Sequence, residues 1–140
     1  DEVKTNEHRD KWDVALNCYW THYEKIKDRY PIGFSKVYTE TGFHDYIVEG
    51  IGITFEEKKR KNSYCVSIII NDDEGTEKKR YQITFYNVKK LEYHFEAGMI
   101  PTWLTSEFLD VDEKTLSLEV ELTDDGRLYM EYTKMKFKRL

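Results

Sequence analysis

The segment Leu116-Ser117-Leu118-Glu119-Val120-Glu121-Leu122-Thr123-Asp124-Asp125-Gly126-Arg127-Leu128-Tyr129-Met130-Glu131-Tyr132 decides the fold. Leu116, Leu118, Val120 and Leu122 alternate with polar residues, and Leu128, Met130 and Tyr132 resume the same period. A period of two belongs to a strand with one buried face. Asp124-Asp125-Gly126 between the two runs is turn chemistry, so the segment predicts an antiparallel hairpin. Glu119 and Glu121 share the opposite face, about 6–7 Å apart, a spacing that glycosidase carboxylates also use. Their alternation against Leu118, Val120 and Leu122 assigns them to the solvent face instead.

The same period extends in both directions. Towards the C-terminus the phase shifts to Met135 and Phe137, which predicts a bulge near Thr133 and Lys134. Towards the N-terminus, strands are expected around Glu107–Val111, Leu91/Tyr93/Phe95, Tyr81/Ile83/Phe85, Tyr64/Val66/Ile68/Ile70 and Ile47/Ile51/Ile53/Phe55, with Asn71 to Gly75 as a hairpin connection. Connections this short cannot join parallel neighbours, so the strands are antiparallel. Before Phe43 the period changes. Trp12, Leu16, Tyr19, Tyr23, Ile26 and Tyr30 recur at steps of four and three, which predicts an amphipathic helix over 7–29, capped by Thr5 or Asn6 and stopped by Pro31. A shorter helical piece over 33–40 is expected to end at Gly42. The expected class is α+β: one domain, 1–140, with a helical part over 1–42 and, over 43–140, a curved antiparallel meander of six or seven strands on which the long N-terminal helix packs.

Composition is consistent with this. Leu, Ile, Val and Phe make up 34 of 140 residues, enough to build a core. Nine Gly and Pro residues in total imply short connections. No run of about 18 apolar residues exists for a membrane helix, and no basic region followed by an apolar stretch opens the chain as a signal peptide. Cys18 and Cys65 fall in no metal-finger spacing, so a cytoplasmic protein is expected.

The formal charge of −5 is unevenly distributed. Residues 105–126 hold eight acids against Lys114 alone, whereas 127–140 hold five bases against Glu131. Such a dipolar chain suits docking of a basic protein through its acidic end. The runs Lys58-Lys59-Arg60-Lys61 and Lys78-Lys79-Arg80 do not outweigh an acidic whole, and nucleic acid is not an expected partner.

The candidate chemical constellations are weak. His44-Asp45 lacks the further ligands that a metal needs and is read as a hydrogen-bonding corner between helix and strand. Cys18 and His22, one helical turn apart, supply two zinc ligands without a third. Gly50-Ile51-Gly52 lacks the third glycine and the helix of a phosphate loop, and is read as a strand pinched so that an aromatic ring can approach. No nucleophile elbow or Walker motif occurs. No catalytic residue, metal or cofactor is expected.

Several stretches together resemble immunity proteins of bacterial polymorphic or contact-dependent toxin systems. They are the aromatic helix, Gly42-Phe43-His44-Asp45-Tyr46-Ile47-Val48, Ile83-Thr84-Phe85-Tyr86-Asn87-Val88, and Leu122-Thr123-Asp124-Asp125-Gly126-Arg127. The resemblance implies a cytoplasmic, non-enzymatic inhibitor that binds a cognate toxin domain directly. Asp110, Asp112, Glu113, Asp124 and Asp125 are the candidate contacts, with Trp103 as anchor. The alternative reading is a small-ligand-binding protein with an apolar cavity between helix and sheet.

Overall fold

The computed structural model describes residues 2–57, 62–72 and 78–140, with side chains from Asn6 onward. The Lys58–Lys61 run and most of the expected Asn71–Gly75 connection lie outside them. Helix α1 runs from Glu2 to Ile26, a 3-10 turn (Lys27–Arg29) follows, and α2 spans Ile32–Thr41. Because α1 already begins at Glu2, Thr5 and Asn6 lie within it and do not cap it. Gly42 closes α2 with φ 60°, and its N–H bonds the Tyr38 carbonyl at 2.7 Å. That left-handed residue is the reason a glycine stands there.

Among the described residues eight strands follow, where six or seven were expected: β1 (Ile47–Glu56), β2 (Ser63–Asn71), β3 (Arg80–Val88), β4 (Lys90–His94), β5 (Trp103–Asp110), β6 (Leu116–Leu122), β7 (Arg127–Tyr132) and β8 (Lys134–Arg139). They form two four-stranded antiparallel sheets, ordered β1-β2-β3-β8 and β4-β7-β6-β5, in place of one meander. The cause lies at one corner. β3 continues into β4 and β7 into β8, and both bend together. β3 pairs with β8 before the bend and β4 with β7 after it. Asn87 adopts φ 55° at this corner and donates from Nδ2 to Thr133 Oγ1 at 2.8 Å, while the Thr133 N–H bonds the Tyr86 carbonyl. The expected bulge at Thr133 is therefore a change of sheet, which adds the eighth strand.

At the other side the sheets meet through an Ile47–Thr102 bridge, and there the Asp45 N–H donates to the Trp103 carbonyl and the Trp103 N–H to the Tyr46 carbonyl, each at 2.8 Å. Between the sheets lie Val66, Ile68, Ile83, Phe85, Leu118, Val120, Met130 and Tyr132, all fully buried. The helices seal one end of this core with aromatic rings. Tyr23, Tyr30, Phe34 and Tyr38 are buried, and Phe34, Tyr38 and Phe108 stand 4.8–5.4 Å apart between ring centres. The expected apolar stripe of α1 is thus only half used: its C-terminal part is core, whereas Trp12 is 57% and Leu16 39% exposed.

Candidate protein-docking cleft

Five neighbours satisfy the outer edge of β5. His44 Nδ1–H donates to the Leu104 carbonyl at 2.8 Å, which agrees with the corner role read for His44. Tyr46 and Asp45 pair with the Trp103 backbone. Further along, the Phe108 N–H donates to Tyr19 Oη at 2.9 Å, Tyr19 Oη pairs with Tyr38 Oη at 2.7 Å, and Tyr38 donates to the Ser106 carbonyl at 3.3 Å. The Phe108 N–H can only donate and the Ser106 carbonyl only accept, so the two tyrosine hydroxyls link a fixed donor to a fixed acceptor. Burial pushes the Tyr19 hydroxyl up to about 12 and raises Tyr38 as well, so the relay stays protonated at neutral pH.

This relay holds α1 across the β5 edge, and the N-terminal half of the helix overhangs the outer face of β5 and β6. The result is a cleft of about 290 Å3. Trp12, Ala15, Leu16 and Tyr19 form its apolar wall, and Thr105, Ser106, Glu107, Glu119 and Glu121 form its floor. Glu107 stands directly opposite Glu119 in the ladder, and Thr105 opposite Glu121. Like charges opposite each other on paired strands destabilise the sheet. Arg127 relieves Glu119 through Nε and Nη2 at 3.0 and 2.9 Å, and Thr105 Oγ1 donates to Glu121 at 3.3 Å.

The acidic residues expected as contacts flank this cleft but do not form one patch. Asp110, Asp112 and Glu113 sit where β5 turns into β6; Asp124 and Asp125 occupy the β6–β7 turn. The length of β6, about 20 Å, separates the two groups. The first group is partly structural. The His22 ring N–H bonds Asp110 Oδ1 at 2.7 Å and holds that carboxyl below the usual carboxylate range. Asp112 Oδ1 accepts the Lys114 and Thr115 N–H groups at 2.8 Å each, which lowers its pKa too. Arg29 donates to the carbonyls of Asp112 and Glu113 at 3.0 and 3.1 Å and so ties the end of the helical part to this turn. Asp124 and Asp125 are exposed with φ 57° and 59°, the left-handed pair that a tight hairpin turn needs.

Trp103 is a correction. It is fully buried, its ring 5.4 Å from that of Phe43, and so it is unable to anchor a partner at the surface. The exposed tryptophan beside the carboxylates is Trp12. Sequence reasoning assigned Trp12 and Leu16 to the core-facing stripe and Glu119 and Glu121 to a plain solvent face. A stripe longer than the sheet needs to cover was the available signal. Cys18 is exposed, and its neighbour His22 is engaged by Asp110. Among the described residues, no three His, Cys, Asp or Glu side chains cluster closely enough to hold a metal ion. Among the described residues, no helix is long and apolar enough to cross a membrane.

Compared with known proteins, the chain matches no family model, no curated protein and no solved structure.

Proposed function

We propose that this chain is a non-enzymatic protein-binding module, an immunity-type inhibitor in the cytoplasm that neutralises a cognate toxin domain by docking on its basic surface. The observation that carries the reading is the cleft under α1, where Trp12 and Leu16 face Glu107, Glu119 and Glu121. An apolar wall beside the Glu107 carboxylate, with Glu119 and Glu121 held in place by Arg127 and Thr105, recognises a segment that offers both an apolar side chain and Lys or Arg. Asp110, Glu113, Asp124 and Asp125 at the two ends widen the negative field and speed encounter with a basic partner. The opposed pair Glu107 and Glu119 supports the reading further, because Arg127 relieves Glu119 alone and a cation bound beside Glu107 would relieve what repulsion is left.

The test is calorimetric titration of the full chain with the C-terminal domain of the protein encoded beside it, across a range of salt concentrations. Charge reversal by Glu107→Lys with Glu121→Lys is expected to weaken binding by about tenfold or more and to flatten its salt dependence. Unchanged affinity would overturn the docking mode. Absence of binding by the parent chain would overturn the toxin-inhibitor reading.

A further inference from the structure

We infer that β1 is an association edge through which two copies of this chain pair, β1 against β1, into a two-fold dimer. Each sheet has two edges, and an open edge invites another strand unless something blocks it. β5 is covered by Tyr19, Tyr38, His44 and Tyr46. β8 carries Lys134, Lys136, Lys138 and Arg139, the charge that keeps edges apart. β4 is five residues long and alternates Lys90, Glu92 and His94 on its outer face. β1 is ten residues long, and Gly50-Ile51-Gly52-Ile53-Thr54-Phe55 within it has no charge and no proline.

The start of β1 is engaged, with the Val48 N–H on the Pro101 carbonyl and Ile47 bridged to Thr102. From Gly50 to Phe55 the strand pairs on one side only, with β2, among the described residues. The glycines are not pinched by an aromatic ring, as the sequence suggested. A Cβ built on Gly50 or Gly52 would meet nothing within 4 Å, so the outer face of the strand is open. On the other face Ile53 and Phe55 turn to the same side as Val66 and Tyr64, yet remain 57% and 51% exposed, with Tyr64 at 49%. The rings of Phe55 and Tyr64 lie 5.4 Å apart and form an apolar pair at the mouth of the two-sheet core.

The occupant that fits is the strand itself. A two-fold axis near Gly52 sets Ile51 opposite the partner copy's Ile53, and glycine opposite glycine, with no like charges facing inside the paired stretch. In an antiparallel ladder alternate residues turn both N–H and C=O outward, so Gly50 to Thr54, the five residues that pair symmetrically about Gly52, extend a four-stranded sheet into a continuous eight-stranded one. The half-exposed rings of Phe55 and Tyr64 leave roughly 150–250 Å2 uncovered per copy. With Ile53 and the paired backbone, the contact over both copies comes to roughly 1,000 Å2, the low end for a specific interface. The dimer is therefore weak and concentration-dependent. β1 and the cleft lie in different sheets, so this inference stands or falls independently of the docking proposal.

Sedimentation equilibrium of the full chain from low micromolar to near-millimolar concentration tests it. The expected result is a rise from one chain mass to two, with slower hydrogen exchange at the Gly50–Phe55 amides as concentration rises. Ile53→Lys and Thr54→Lys, both at exposed positions, are each expected to raise the dissociation constant about tenfold or more without loss of folding by circular dichroism. Thr54→Lys serves alone if Ile53→Lys fails to fold. A monomer at every concentration, open-ended growth beyond two copies, or a dimer indifferent to the folded β1 variants would overturn the inference.

Discussion

Removing one oxygen from Tyr19 tests how the helix is held on the sheet. In Tyr19→Phe the ring stays, with its neighbours Trp20 and Tyr23 at 5.1 and 6.4 Å, so apolar packing changes little. The Phe108 N–H, 2.9 Å from the hydroxyl, loses its acceptor, and Tyr38 retains only its longer contacts to Ser106 at 3.3 Å. An unsatisfied buried donor costs about 1–3 kcal/mol. The second, hydroxyl–hydroxyl bond adds a fraction of that, so the expected loss is about 2–3 kcal/mol. In a chain of this size each kcal/mol shifts Tm by about 3 °C, and the expected fall is about 6–9 °C. Urea unfolding measures the free energy, and native-state hydrogen exchange at Phe108 locates it. Because Tyr19 also walls the cleft, partner affinity should fall as α1 loosens from β5. Tyr23→Phe is the control, since it breaks only the 2.7 Å bond to Ser35 and should cost about 1 kcal/mol. A Tyr19→Phe variant within about 0.5 kcal/mol of the parent, with unchanged exchange at Phe108, would refute the claim that this relay secures the edge.

The remaining predictions concern the same core. Trp103→Ala should destabilise by about 3–5 kcal/mol, as truncation of a fully buried ring does, and urea unfolding measures it; a loss below about 1 kcal/mol would mean that Trp103 is not core. Alkaline titration should unfold the protein. Burial raises Tyr19 and Tyr23 from 10 to about 12, so the folded state holds protons that the unfolded state has lost between those values. Their contribution is complete below pH 10 and is lost as pH rises towards 12. Tyrosinate absorbance should show these groups ionising with the unfolding transition rather than before it, and independent ionisation near pH 10 would contradict the burial.

Much of this architecture is legible in the chain because it is local. The strands of the 116–132 hairpin follow from side chains alternating against the pleat, and Asp124-Asp125-Gly126 forms the turn that its residues suit. The end of α2 at Gly42 was equally readable, since a left-handed residue after a helix favours glycine. The cleft was not readable. Its carboxylates appeared as an ordinary outer face, and its apolar wall appeared as core, because periodicity reports which face of an element is apolar and not whether anything covers it. Trp12 and Trp103 have the same composition signal and opposite fates, one overhanging β5 and one enclosed beside Phe43.

Helix before strands, the antiparallel sense of those strands and the segregation of charge towards the β5–β7 region are all legible in the chain. Each of these depends on neighbours a few residues apart. The division of the strands into two sheets at Asn87 and Thr133, the meeting of β3 with β8, and the uncovered half of the α1 stripe above Glu107 and Glu121 arise only when the chain folds. The physical reason is that pairing between distant strands is set by how the whole set of buried faces closes around one core. No segment carries that information alone, and the surfaces most suited to binding are those which this closure leaves unpaired.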